Sequence, residues 1–223
     1  MTTTLATSPY LAAIAHLAPN MTLLASDVSW EEYEQLLDDL GDSHAARIFY
    51  NKGQLEIMPP PTKEHERPVS IIDRVIIALS DELGWEIESI RSTRLKRQLH
   101  DIGAEPDEAY YIRDIAPALR AGELDLESDP PPHLVIEVDR TSLSLDKFAI
   151  YAALGVPEIW RLYQGQVTFY QLTQGSYANI PHSRAFPFLS PGQLAQFLDL
   201  GLREGATRAK RACSEWARTQ FNQ

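Results

Sequence analysis

The chain has 223 residues, 44% of them hydrophobic and 23% charged, with a formal net charge of −11 and a pI near 5.0. These values suit one globular domain with short additions at its ends, and they exclude a surface coated in the Lys and Arg that drive non-specific nucleic-acid affinity. No run approaches the roughly 18 apolar residues of a membrane span, and LAAIAHLAP near the start lacks the basic flank of a secretory signal, so a cytoplasmic location is expected. The single cysteine, Cys213, excludes an intramolecular disulfide and a thiolate metal site.

Residues 1–25 are rich in Thr, Ala and Pro without firm periodicity and read as a flexible arm, ahead of a domain over 26–203 and a helical extension over 204–223. Ser29-Trp-Glu-Glu32 has the form of a capping box, and Tyr33, Leu36, Leu37 and Leu40 follow at helical spacing up to Gly41. ARIFY and QLEIM flank Asn51-Lys52-Gly53, the composition of a hairpin turn. From Lys63 to Leu83, Ile71, Ile72, Val75, Ile76, Leu79 and Leu83 recur at threes and fours, which predicts a long core helix ending at Gly84.

Trp85 to Leu99 reads as two extended pieces, with Arg94 and Lys96 on one face. Asp107 to Ile112 and His133 to Val138 are further strands, the second a nearly continuous apolar run of the kind buried in mid-sheet. Ser144 is expected to open a helix over 145–154 that Gly155 closes, and EIWRLY returns as a strand, completing a βαβ unit. A second hairpin through VTFYQL and YANI, then two amphipathic helices, finish the chain.

Glu137 interrupts the run LVIEV, and a carboxylate buried there is costly unless a cation or several donors satisfy it. Asp107, after Pro106 at the start of another strand, could meet it on adjacent strand ends, as an oxygen-rich Mg2+ or Mn2+ site requires. The plainer alternative pairs Glu137 with an arginine and leaves Asp107 as a strand opener. Lys147 falls in the first turn of the following helix, where its charge opposes the macrodipole; taken alone, an exposed helix lysine explains it as well. Glu64, His65 and Glu66 open the long helix, where carboxylates suit the dipole, and Glu66 is a candidate outer metal ligand.

The other histidines show no ligand spacing such as HxxxH, and Tyr110, Tyr111, Tyr151 and Trp160 fall at core positions. No Gly-rich phosphate loop, nucleophile elbow or dinucleotide fingerprint is present. RSTRLKR gathers Arg91, Arg94, Lys96 and Arg97, a patch able to steer a polyanion or, equally, a solvated strand pair.

GQLEIMPP, EHE opening a helix, EPDEAYYI, and PPHLVIEVDRTSLSLDKFAIYAALGVPEIW follow in an order that resembles the Uma-two family of restriction-endonuclease-like proteins, a branch of the PD-(D/E)XK nucleases. The resemblance covers about 29–198 and is most specific over 133–160. It implies an α/β (α+β) restriction-endonuclease-like fold, an αβββαβ core with a central mixed sheet flanked by helices.

By this resemblance Asp107 matches the aspartate of the PD motif and Glu137 the acidic residue of the (D/E)XK motif, both binding metal together with the Val138 carbonyl. Asp139 stands where the motif's lysine is usual, and Lys147 looks like its migrated replacement. The implied activity is Mg2+- or Mn2+-dependent hydrolysis of DNA phosphodiesters by a homodimer, with catalytic Asp107, Glu137, Lys147 and Glu66, and with Arg94, Lys96 and Arg97 holding the nucleic-acid backbone. The alternative is a nuclease-fold binding module, for nucleic acid or protein, that lacks turnover. A carboxylate-pair glycosidase ranks last, because few exposed aromatics are arranged as a sugar platform.

Overall fold

The computed structural model describes residues 8–18, 21–41, 46–120, 124–139 and 145–221. In chain order the elements are α1 (Tyr10–Ala15), β1 (Leu23–Ala25), α2 (Trp30–Leu40), β2 (Arg47–Asn51), β3 (Gln54–Met58), α3 (Lys63–Leu83), β4 (Ile87–Ser89), β5 (Leu95–Arg97), β6 (Ile102–Ala104), β7 (Glu108–Ile112), α4 (Ala116–Leu119), β8 (Leu134–Asp139), α5 (Lys147–Leu154), β9 (Glu158–Tyr163), β10 (Gln166–Thr173), β11 (Ser176–Ile180), α6 (Pro191–Glu204) and α7 (Ala206–Phe221). Among the described residues no helix is long and apolar enough to cross a membrane.

Two sheets form. An antiparallel sheet runs β1-β3-β2-β6-β5, and a mixed sheet runs β11-β10-β9-β8-β7-β4, in which β8 and β9 are the parallel pair that α5 connects. The sequence predicts one central sheet; the second arises because the strand through Ile102–Ala104 does not continue into Glu108–Ile112. Pro106 lies between them, has no N–H for the ladder, and marks the place where the chain passes from one sheet to the other.

The layering follows from strand alternation. Leu134, Ile136 and Val138 of β8 share a core with Ile72, Val75, Ile76 and Leu79 of α3 and with residues of α6 and α7. Val135 points the other way, into a core with Phe49, Leu95, Ala104, Ile150, Tyr151 and Leu154, so α5 lies between the two sheets. The outer face of the antiparallel sheet buries Ile48, Tyr50, Leu55 and Ile57 against α1 and α2.

Of the predicted arm, the described residues are folded: Ile14 of α1 joins that outer core, and β1 pairs with β3 from Leu23↔Ile57 to Ala25↔Leu55. The capping box forms as predicted, with Ser29 Oγ accepting from Glu32 N at 3.2 Å and Glu32 Oε2 accepting from Ser29 N at 2.8 Å. Ser144, the expected opening of α5, lies outside the described residues. Asp146 caps that helix, its Oδ1 accepting from Phe148 N and Ala149 N at 3.0 and 3.3 Å, and Gly155 ends it at φ 82°.

Gly103 of β6 is required by close approach. A Cβ at this position would stand 2.0 Å from the Tyr33 hydroxyl, and the Tyr33 ring is fully buried and stacked on Tyr50 with centroids 4.6 Å apart. The ring has no room to retreat. Gly103→Ala is therefore expected to destabilise the fold by about 1–3 kcal/mol in urea titration, the range for overpacked cores; unchanged stability contradicts this packing.

Candidate active site

Strand alternation that sends Leu134, Ile136 and Val138 to one core sends Glu137 and Asp139 to the α5 side of the sheet, where they are 1% and 8% exposed. Helix α5 supplies their partners. Lys147 and Tyr151, four residues apart and so on one helix face, both reach Glu137: Lys147 Nζ donates to Glu137 Oε2 at 2.5 Å, and the Tyr151 hydroxyl donates to Glu137 Oε1.

Lys147 Nζ also donates to Asp139 Oδ1 at 3.2 Å, and Arg161 Nε of β9 donates to Asp139 Oδ2 at 2.7 Å. The ammonium lies 4.6 Å from the centre of the Phe49 ring and is 3% exposed. Burial pushes the Glu137 carboxyl up from its usual range; Lys147 pulls it back, and the Asp139 charge adds to the rise. Burial and the Glu137 charge push the Tyr151 hydroxyl well above its ordinary value, so it stays a donor.

Asp107 approaches from the neighbouring strand. β7 and β8 pair antiparallel with Glu108↔Ile136, so the next pair in that register sets Asp107 opposite Glu137. Asp107 Oδ2 accepts from Val138 N at 2.6 Å and lies 3.1 Å from His65 Nε2. Arg47 Nη1 lies against Asp107 Oδ1 as an ion pair without hydrogen-bond geometry, so a cation, not a formed hydrogen bond, faces that buried oxygen.

Glu66 is set further out. Its Oε1 is 3.7 Å from Arg47 Nη2 and 3.5 Å from His65 Nδ1, and its side chain is half exposed at the rim. The structure thus gathers Asp107, Glu137, Val138 and Lys147, with Glu66 linked to them through Arg47 and His65.

The predicted backbone-binding residues lie elsewhere, committed to internal acceptors. Arg94 reaches Glu105 Oε1 at 2.8 Å and the Gly41 carbonyl at 2.9 Å, Lys96 reaches Glu34 at 3.2 Å, and Arg97 reaches the Leu126 and Ala153 carbonyls at 2.9 and 3.1 Å. They brace the antiparallel sheet against α2, the loop before β8, and α5. A spacing argument sees the charge of such residues but not the acceptors that folding brings to them.

Sequence reasoning missed three site residues. Tyr151 was legible in principle, being four positions after Lys147 on the same helix. His65 and Arg47 carry no such mark, since one opens a helix and the other a strand, and only tertiary packing brings both to Asp107.

The donor chemistry fits a divalent cation: two buried hard-oxygen carboxylates meet from neighbouring strands, and one Asp107 oxygen has a charged guanidinium against it but no formed hydrogen bond. Among the described residues, however, no group of three or more His, Cys, Asp or Glu side chains is gathered to hold an ion. Asp107 and Glu137 would hold it with backbone or water oxygens, and the cations now beside them are Arg47 and Lys147.

Burial first, and then the Arg47 charge, hold the His65 imidazole down from 6.5 to about 4. Between these values the unfolded chain takes up a proton that the folded chain refuses, so stability falls as pH drops through this window. Replacing His65 removes its share of that loss. From about pH 7 to about pH 4.5, the melting temperature of His65→Asn should fall less than that of the unaltered chain, and an equal fall would contradict the assignment.

A search of curated proteins gave no match. Among solved structures, the fold is similar to a crystal structure described as "a putative nuclease belonging to DUF820" from Anabaena variabilis ATCC 29413, with TM-score 0.52 and 18% identity, covering 74% of this chain and 97% of that one. The profile of the family described as "Uma2: Putative restriction endonuclease" matches residues 30–202, a span that includes every residue of the site described above. The chain therefore belongs to the Uma2 family and carries its restriction-endonuclease-like core.

Proposed function

We propose that this chain is a metal-dependent endonuclease that hydrolyses DNA phosphodiester bonds, with Asp107 and Glu137 as its metal-holding carboxylates and Lys147 as its catalytic cation. The observation that carries this reading is the convergence of three groups from separate elements: Asp107 accepting from Val138 N beside Glu137, and Lys147 Nζ 2.5 Å from Glu137. Family membership supports it.

Asp107, Glu137 and the Val138 carbonyl would hold a divalent Mg2+ or Mn2+ ion, which would supply Lewis-acid polarisation of the phosphate and lower the pKa of the attacking water. The chain's own residues do the rest. Tyr151 and Lys147 hold the two Glu137 oxygens, while Val138 N and His65 hold Asp107 in place. Lys147 would stabilise the negative charge that develops on the phosphate and orient the water, and Asp139, tied to Arg161, keeps the ammonium between the two β8 carboxylates. Glu66 at the rim would position the cation through water. A homodimer would present two such sites to two strands.

A nuclease fold without turnover is the second reading. The internal commitment of Arg94, Lys96 and Arg97, together with the net charge of −11, favours it. Calorimetry showing no Mg2+ or Mn2+ binding would decide for it.

With Mg2+ or Mn2+, the purified chain is expected to nick supercoiled plasmid, and a chelator to abolish the nicking. Asp107→Asn and Glu137→Gln, which preserve shape, should each lower the rate by about 100-fold or more while the far-UV dichroism stays native. Undiminished nicking by both variants would overturn the proposal.

A further inference from the structure

Arg47 occupies a place in this site that the chemistry above does not use. It opens β2, its side chain is 11% exposed, and its Nη1 is the cation against the buried Asp107 Oδ1, an oxygen with no formed hydrogen bond. Its Nη1 is also 3.4 Å from His65 Nε2, and its Nη2 is 3.7 Å from Glu66 Oε1, whose side chain is 53% exposed. The strand beneath it is pinned: Ile48 N donates to Glu105 Oε2 at 3.2 Å, and Glu105 stands two residues before Asp107 and is held by Arg94. A fixed backbone therefore carries a long side chain whose charge lies between a buried carboxylate and an exposed one.

We propose that Arg47 is the resident counter-ion of Asp107, and that a divalent cation must displace its guanidinium toward Glu66 in order to bind. The proposal rests on the reading of Asp107 as a metal-holding carboxylate. A buried carboxylate left unpaired is costly, so in the metal-free chain some cation has to stand at Asp107, and Arg47 is the group that does. A guanidinium and a divalent ion repel each other at one carboxylate, so the two compete for Asp107.

Two consequences follow. Arg47 sets the affinity of the site for the cation, keeping it weaker than two buried carboxylates would otherwise make it. Binding of the ion also moves a guanidinium to the rim, where its planar donors suit an arriving phosphate diester. Cation and anionic substrate are thereby coupled through one side chain.

The test is Mn2+ binding by calorimetry in the unaltered chain, Arg47→Lys and Arg47→Met. Arg47→Met keeps the aliphatic stem and is expected to bind Mn2+ about tenfold or more tightly than the unaltered chain, with Arg47→Lys closer to the unaltered value. Equal or weaker binding by Arg47→Met, beside an unaltered chain that binds, overturns this proposal and leaves the metal site standing. Absence of binding in all three overturns both.

The unaltered chain gives a measurement that does not depend on a variant folding. In a Mg2+ titration followed by NMR, the Arg47 Nε–H signal should move and saturate with the ion, and a signal that stays fixed while the ion binds overturns the proposal.

Discussion

A carboxylate in the buried middle of a β-sheet is the constraint on which the rest of this site depends. Glu137 lies on a strand whose other side is packed against α3, α6 and α7, so its buried carboxylate has to be satisfied on the α5 side of the sheet. Other buried carboxylates of the chain are satisfied differently. Glu158 accepts from Trp160 Nε1 and Ala185 N, each at 2.7 Å, and Glu56 accepts from Leu145 N at 3.0 Å. Glu137 instead draws in a lysine and a tyrosine, and the lysine also serves Asp139, which holds Arg161. An arrangement of buried charges gains little stability over apolar packing, and removing one member typically costs about 3–5 kcal/mol.

The two-sheet architecture delivers the remaining groups. Where the chain passes between the sheets at Pro106, Asp107 stands one residue ahead of β7 and accepts from Val138 N of β8, and Glu105, two residues earlier, fastens β2 beside the site. Glu56 of β3 fastens the approach to α5 by accepting from Leu145 N, two residues before Lys147. The antiparallel sheet therefore contributes Arg47, Phe49 and Glu56 to a site whose acids belong to the other sheet. α3 adds His65 and Glu66 from its first turn.

Most elements were legible in the sequence because their signals are local. The capping box at Ser29, the turn at Asn51-Lys52-Gly53 and the threes-and-fours of α3 depend on neighbours within a few positions, and each is found where predicted. The second sheet was not legible, since whether two strands share a ladder depends on partners far along the chain. The basic run shows the same limit. RSTRLKR reads as a surface patch, yet Glu34, Glu105 and the carbonyls of Gly41, Leu126 and Ala153 take up Arg94, Lys96 and Arg97.

By itself, the sequence determined that a carboxylate would be buried at Glu137, that Asp107 would lie at the start of another strand, one residue ahead of β7, and that Lys147 would fall in the first turn of the next helix, because strand and helix periodicity are written in consecutive residues. Its motif order also carried the family. Only the tertiary structure decided that Lys147 reaches Glu137 and Asp139, that Tyr151 is a donor to the site rather than packing alone, and that Arg47 and His65 stand at Asp107. Those contacts join residues from strands and helices that meet only once both sheets have formed around α5, and no local pattern encodes the distance between them.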